Sequence, residues 1–192
     1  MNYKIIFSYI AIIFSFVGVL PYFINIFKGK TKPHAFSWLT WGIAGGIVFF
    51  AQIFKHAGSG AYVTGLGSLV CFIIFFIALK KGQRQFSTFD WTSLLVSLLA
   101  IILWIFTNDP TLSVILVTLN DMVGFFPSIR KGYYLPFEET ATTYGFASIK
   151  WIFAIIGLQT YSVATWLYPA SLIFTNGAFT IMLLVRRKQL KK

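Results

Sequence analysis

The feature that most constrains this chain is a series of apolar segments, each about as long as a helix that crosses a bilayer. A helix needs roughly 20 apolar residues to span a hydrocarbon core of about 30 Å. Seven segments meet this requirement, at 5–27, 35–54, 61–79, 91–107, 110–129, 141–158 and 165–185. The chain is 57% apolar and only 11% charged, which is far from the composition of a soluble domain. We therefore predict an all-α membrane protein with seven transmembrane helices.

The basic residues predict how these helices are oriented. With seven spans, 13 of the 16 lysines and arginines fall on one side of the membrane, Lys4 and Lys55 fall on the other, and Lys150 lies within a span. Positive charge is retained in the cytoplasm, so the N-terminus is predicted outside and the C-terminus inside, in the plasma (inner) membrane. The net charge of +11 thus indicates topology and a lipid bilayer as partner, with no nucleic acid. Whether copies form a homo-oligomer stays open.

An internal repeat divides the chain into two similar halves. Shifted by 106 residues, the first three predicted helices align with the last three without a gap. The aligned landmarks are Gly18 with Gly124, Pro21 with Pro127, Ala35 with Ala141, Tyr62 with Tyr168, and Lys80-Lys81 with Arg186-Arg187. Because one helix separates the halves, both have the same orientation in the membrane. The predicted domains are a three-helix bundle over 1–86, a linker helix over 87–108, and a second three-helix bundle with a basic cytoplasmic tail over 109–192.

Two prolines occupy equivalent positions in this repeat. Pro21 and Pro127 each lie about seven residues from the predicted cytoplasmic end of a span. Proline removes a helical hydrogen bond, and a membrane tolerates this only where neighbouring helices or water satisfy the freed carbonyl. The pair is predicted to act as hinges at the inner mouth of the protein, or else to kink the helices for packing alone.

The same segments resemble a known family. The stretch "GVLPYFINIFKGKTKPHAFSWLTW", residues 18–41, is similar to the PQ-loop signature of SWEET sugar transporters and cystinosin-like carriers. The stretch "DMVGFFPSIRKGYYLPFEETATTYG", residues 121–145, repeats it. The glutamine that follows each proline in the family is replaced by Tyr22 and Ser128. The resemblance implies a SWEET-like fold with two parallel bundles (3+1+3), helix order 1-3-2 within each bundle, and transport of a small solute by alternating access.

Several polar residues are predicted to lie near the middle of the bilayer. Asp121, Lys150 and Asn176 are each nine or ten residues from the cytoplasmic end of a span, which places them at one level, and Asn120 adjoins Asp121. An isolated charge at that depth costs about 2.5 to 3.5 kcal/mol on insertion scales, so both charges should face the bundle interior. Either they form a permanent ion pair that stabilises the second bundle, or they belong to a substrate site.

The resemblance adds roles for individual residues. It implies that Asn176 binds substrate, as an asparagine on the third helix of a bundle does in SWEET-like proteins, and that Trp41 packs an aromatic ring against it. It also implies that Asp121, in the pattern Asp121-x-x-Gly124, acts as a proton or charge switch. With Asn120, Lys150 and the deep Trp151, these residues form the predicted substrate site.

Other classes of function are less well supported by the residues. No catalytic triad, phosphate-binding loop or metal-ligand cluster is present in the sequence, so we expect no enzyme, no metal and no cofactor. Retinal on Lys150 is not expected, since rhodopsins carry that lysine in their last span. The alternative to a carrier is a non-transporting receptor or assembly factor of the same fold, similar to the KDEL receptors.

Overall fold

The computed structural model describes residues 3–82 and 87–190, and every regular element in these ranges is helical. The α-helices are α1 (Tyr3–Phe27), α2 (Ala35–Phe54), α3 (Gly60–Lys81), α4 (Thr88–Thr107), α5 (Thr111–Gly124), α6 (Phe126–Tyr134), α7 (Ala141–Ile156) and α8 (Val163–Leu190). A short 3-10 helix, Pro136–Glu138, joins α6 to α7. The prediction of an all-α protein is confirmed.

Most of these helices have the length and composition of membrane spans. Within the described residues six segments qualify, namely α1, α2, α3, α4, the combined α5 and α6 segment Thr111–Tyr134, and α8. The remaining helix, α7, is apolar but has only 16 residues. Each of the seven segments predicted from the sequence coincides with one of these. The protein is therefore embedded in a membrane.

The fifth predicted segment, 110–129, forms two helices rather than one. The break falls at Phe125, whose amide lies 3.0 Å from the carbonyl oxygen of Asp121 and 3.3 Å from that of Met122. Pro127 follows two residues later and has no amide hydrogen to continue the ladder. In contrast, α1 continues without interruption through Pro21. The two equivalent prolines thus have different local structures.

The sharpest connection joins α4 to α5 through the residues "NDP". Asn108 ends α4 with a φ of 53°, a left-handed conformation that asparagine tolerates. Asp109 then accepts hydrogen bonds from the amide and the hydroxyl of Thr111 and lies 3.2 Å from Lys55 Nζ. These interactions, led by the Thr111 amide, hold the pKa of the Asp109 carboxyl below its usual range. Their stabilisation is present at neutral pH, is lost as the pH falls through that lowered pKa, and is small because the carboxyl is exposed.

Six of the helical segments form a closed ring. Around it the order is α1, α3, α2, α5, α8 and α7, and α7 packs again on α1. Within the first half α3 lies between α1 and α2, and within the second half α8 lies between α5 and α7. The linker α4 stands outside this ring against α5 and α2. The axis of the ring is therefore surrounded by residues from both halves.

Burial in this ring follows the pattern of a membrane protein. Large apolar side chains point outward, as at Ile105, Phe106 and Phe174, which are 74%, 84% and 74% exposed. Buried positions instead carry many small or polar residues, including the fully buried Ala11, Ala51 and Ala61. Lipid solvates the outer residues, and small residues let the helices approach closely. Polar groups in the interior therefore face other helices or internal cavities.

Candidate functional site

Two adjoining cavities lie among the helices. The central cavity, of about 180 Å³, is lined by residues of α1, α2, α3, α5, α7 and α8, together with Phe125 at the break after α5. The vestibule, of about 900 Å³, lies between this cavity and the α1–α2 loop, the start of α4 and the residues that precede α7. Trp38, Trp41, Asp121, Thr143 and Tyr144 line both cavities. These five residues form the boundary between the central cavity and the vestibule.

Most of the predicted site residues line the central cavity. Trp41, Asp121, Lys150, Trp151 and Asn176 all contribute to its wall. They come from four different helices, so the fold brings together what the sequence separates by up to 135 residues. Asn120 lines only the vestibule, and Pro21 lines neither cavity.

Asp121 lies where the two cavities meet. The residue is only 5% exposed, and its Oδ2 has no hydrogen-bond partner among the described residues. No basic side chain in the described part of the chain lies within ion-pair distance of it. A buried carboxylate without a partner is costly, because the group has lost its water and gained nothing in exchange. Its oxygens are therefore available to a ligand.

Lys150 approaches the central cavity from α7. Its Nζ lies 4.2 Å from the centre of the Trp151 ring. A methyl group placed on Gly67 of α3 would lie 3.9 Å from the same nitrogen, so the ammonium group is directed towards α3. We find no hydrogen-bond acceptor for it in residues 3–82 and 87–190. The Trp151 ring stabilises the cation through its face but leaves the N–H donors free.

The permanent ion pair considered from the sequence is thus not formed in this structure. Asp121 and Lys150 line the same cavity, as their common depth predicts, yet they do not come within 4.0 Å of each other in the described residues. Both belong to the second half of the chain. Their equivalents in the first half are the uncharged Ser15 and Ala44.

Two threonines bring further unsatisfied polar atoms to this cavity. The Oγ1 atoms of Thr64 and Thr143 are buried and have no partner in the described ranges. Other hydroxyls nearby are satisfied locally; Ser68 Oγ, for example, donates to the Gly42 carbonyl at 2.7 Å. Unpaired buried hydroxyls are uncommon in folded proteins. Together with Asp121 they bring three unpartnered polar atoms to a wall that is otherwise mostly apolar.

Aromatic rings form much of the remaining wall. The Trp38 and Trp41 rings stand perpendicular at 5.2 Å, and Trp38 Nε1 donates to the Tyr22 hydroxyl at 3.3 Å. Deeper in the cavity the rings of Trp151 and Tyr168 meet edge to face at 6.3 Å. Such rings offer flat apolar surfaces against which a small solute packs.

Asn120 has a structural position rather than a place in the central cavity. Its Nδ2 donates to the Ser93 carbonyl at 2.9 Å and to Ser97 Oγ at 3.1 Å, and its Oδ1 accepts from Ser93 Oγ at 2.9 Å. The amide is therefore occupied by α4. The expectation that Asn120 contributes to the substrate site is not supported by these contacts, because the rotation of α5 that brings Asp121 inward turns Asn120 towards α4.

Replacing Asn120 is expected to weaken the attachment of α4. Asn120→Ala removes three hydrogen bonds to α4 and leaves the Ser93 hydroxyl without an acceptor, which costs about 1–3 kcal/mol of unfolding free energy. Thermal or denaturant unfolding of the purified protein measures this loss. Thr92→Ala, on the exposed face of α4, is the matched control and should change the stability by less than about 0.5 kcal/mol. If Asn120→Ala left the stability unchanged but weakened solute binding, Asn120 would belong to the substrate site after all.

Some residues of the site were not predicted from the sequence. Trp38, Cys71 and Tyr144 line the central cavity, although none of them is among the predicted site residues. Tyr168 was noted only as a repeat landmark. A usable signal exists for it, since Tyr168, Leu172 and Asn176 are spaced by four residues and share one face of α8.

The end of the ring opposite the vestibule is closed by contacts between the two halves. Across the halves, Lys4 Nζ donates to the Leu158 carbonyl at 2.7 Å and the Gln159 amide donates to the Ala57 carbonyl at 2.7 Å. Within the first half, Ser8 Oγ donates to Ser59 Oγ at 2.9 Å beside them. These contacts join α1 and the α2–α3 loop to the end of α7. We call them the closed end.

A glycine makes this end especially tight. A Cβ on Gly60 would lie 2.7 Å from the carbonyl oxygen of Ala154 and 2.8 Å from the amide nitrogen of Leu158. Both atoms belong to the backbone, so α3 approaches α7 as closely as it does only because Gly60 has no side chain. The central cavity thus adjoins the vestibule on one side and is closed off by these contacts on the other.

The fold and the cavities together define the class of this protein. It is a helical protein embedded in a membrane, with an internal cavity that carries one acidic and one basic side chain in a mostly apolar wall and adjoins a vestibule at one end. Within the described residues no group of three histidine, cysteine or acidic side chains could hold a metal ion. Comparison with protein-family models, with curated proteins and with solved structures finds no match to this chain.

Proposed function

We propose that this protein is a carrier that moves a small polar solute across the membrane by alternating access. The observation that carries the proposal is the central cavity itself. It contains an unpartnered buried carboxylate and two unpartnered hydroxyls, adjoins a large vestibule on one side and is sealed on the other. A site with one access route at a time is what alternating access requires.

The arrangement of helices supports a SWEET-like plan of two three-helix bundles joined by a linker. The neighbours of α3 and α8 give the order 1-3-2 in each half, and α4 stands outside the ring. The helices α2 and α7 begin 106 residues apart, at Ala35 and Ala141, which is the spacing of the sequence repeat. In this plan the bundles rock about the central cavity, with Pro21 and Pro127 as hinges. The distribution of basic residues favours an N-terminus outside and a vestibule that opens to the cytoplasm.

Asp121 is the residue that could link this transport to protons. A carboxylate binds either a proton or a cationic group, so one buried carboxylate can exchange the two. Its position at the boundary of both cavities exposes it to the vestibule and to the solute site in turn. Lys150 is the basic side chain that shares the central cavity with Asp121, and Lys30, Lys32 and His34 share the vestibule with it.

Flux into liposomes tests the proposal. The purified protein is reconstituted, and uptake of labelled amino acids, sugars and nucleosides is compared with protein-free liposomes. We expect saturable uptake of one solute class, and counterflow when the liposomes are preloaded with the same solute. Saturable binding without uptake or counterflow would instead support the receptor of the same fold. A pH gradient across the liposome should change uptake if Asp121 links it to protons.

A further inference from the structure

We infer that the solute is a small zwitterion, such as an α-amino acid, with its ammonium group bound at Asp121 and its carboxylate bound at Lys150. The binding site is inferred from the cavity alone. That its ligand is a transported solute rests on the proposed function. The sequence alone did not choose among sugars, nucleosides, vitamins and amino acids.

The inference begins with charges that do not neutralise each other directly. Asp121 and Lys150 face one cavity from different helices, and neither forms an ion pair in the described residues. Their common enclosure is lined otherwise by uncharged residues. A buried charge is tolerated when something pairs with it. Here the missing partner must supply a positive group near Asp121 and a negative group near Lys150.

Solutes of other charge types leave this requirement unmet. A neutral sugar offers hydroxyl groups but leaves both charges uncompensated. A simple anion pairs with Lys150 and is repelled by Asp121, and a simple cation does the reverse. A zwitterion satisfies both groups and keeps the occupied cavity electrically neutral. Neutrality has value here, since a net charge near the centre of a bilayer is expensive.

The hydrogen-bonding groups around the charges fit the same solute. Thr143 Oγ1 and Thr64 Oγ1 are without partners and belong to helices on opposite halves of the ring. Asn176 donates through Nδ2 to the Leu172 carbonyl at 2.8 Å, which leaves its Oδ1 as an acceptor. An ammonium group has three donors and a carboxylate accepts several hydrogen bonds, so both ends of a zwitterion find neutral partners beside the charged ones.

The size of the cavity restricts the solute further. Its volume of about 180 Å³ is below the range of about 300–1,000 Å³ typical of sites for drug-sized ligands. Several aromatic rings line the cavity that holds both charges, with Trp41 and Trp151 among them. A solute with a short charged backbone and a modest apolar side chain therefore fits better than a nucleoside or a disaccharide.

Binding to the purified protein tests the charge requirement directly. We would measure thermal shifts with alanine, serine and leucine, each compared with its N-acetyl derivative, its amide and a polyol of similar size. A ligand that binds the folded state raises its melting temperature. We expect at least one amino acid to stabilise the protein, and the loss of either charge to weaken binding by about 10- to 100-fold.

Two variants assign the charges to their residues. Asp121→Asn should weaken binding of the free amino acid until it equals that of the N-acetyl derivative, because the ammonium group no longer meets a carboxylate. Lys150→Met should weaken binding of the free amino acid until it equals that of the amide derivative.

A further pair of variants tests the position of the ligand. Gly67→Ala adds a methyl group 3.9 Å from Lys150 Nζ and should weaken binding of the amino acid. Its control, Gly46→Ala, lines neither cavity and meets nothing closer than 3.5 Å, so binding should be unchanged.

The outcomes separate this inference from the proposed function. If polyols, sugars or nucleosides stabilise the protein and no amino acid does, the inference of a zwitterionic solute is wrong. The proposed carrier function still holds in that case if those solutes show flux. No stabilisation by any amino acid of the panel at millimolar concentration also overturns it. Amino-acid binding that needs both charges but gives neither uptake nor counterflow supports the site and contradicts transport.

Discussion

A protein carrying Ser8→Cys and Gly157→Cys is expected to lose nearly all solute flux when oxidised and to regain it on reduction. A Cβ placed on Gly157 would meet Ser8 Oγ, so two sulfur atoms at these positions reach bonding distance after small side-chain rotations. The bond would join α1 of the first half to the end of α7 in the second half, at the closed end, where contacts between the halves seal the central cavity. If the halves must separate there once per cycle, the bond prevents the cycle.

The background and controls for this experiment are available in the same chain. Cys71 is the only native cysteine, and because it lines the central cavity its replacement by alanine is first checked for retained flux. Each single cysteine variant should transport equally well with and without oxidant. Flux that persists at full strength after complete crosslinking, measured by a gel shift, would contradict alternating access through this end. Solute binding from the vestibule side should survive the crosslink.

Asp121→Asn is expected to abolish the response of uptake to a pH gradient and, at the same time, to make the empty protein more stable. Asparagine has nearly the same shape but no charge to desolvate, and Oδ2 has no partner in the described chain to lose. The amide also lacks a partner, but its desolvation costs less than that of a charged carboxylate, and we expect the difference to be about 1–3 kcal/mol. Exchange should remain measurable at saturating solute, because Lys150 and the aromatic wall are unchanged. Uptake with imposed pH gradients and thermal unfolding measure the two effects.

Asp109→Asn is the matched control for this substitution. Asp109 is exposed and lies 3.2 Å from Lys55 at the closed end, so its replacement should lower stability slightly, by less than about 1 kcal/mol, and leave the pH response intact. If uptake by Asp121→Asn responds to a pH gradient as strongly as uptake by the parent protein, Asp121 does not have the assigned role.

The double variant Asp121→Asn/Lys150→Met distinguishes separate charges from a hidden ion pair. Since the two groups do not pair in this structure, the effects of the single substitutions on unfolding free energy should add. A permanent ion pair predicts something different: each single variant would be strongly destabilised, and the double variant would recover much of the loss. The cycle therefore tests the geometry of the central cavity without any knowledge of the solute.

Much of the site was accessible from the sequence because depth in a membrane is nearly a linear quantity. Counting residues from the ends of spans placed Asp121, Lys150 and Asn176 at one level, and all three line the central cavity. The same counting could not separate Asn120 from Asp121. These neighbours differ by one residue, or about 100° around the helix. One consequently faces α4 and the other faces the cavity.

The sequence by itself determined that the chain is helical, where its long apolar segments lie and approximately where they end. These depend on runs of apolar residues and on the thickness of a bilayer, and they need no knowledge of neighbours. The tertiary structure alone decided that Asp121 and Lys150 stay apart, that Asn120 binds Ser93 and Ser97, and that one end of the ring is sealed. Those facts depend on how each helix is rotated and tilted against the others, because pair distances of a few ångströms are set by packing in three dimensions.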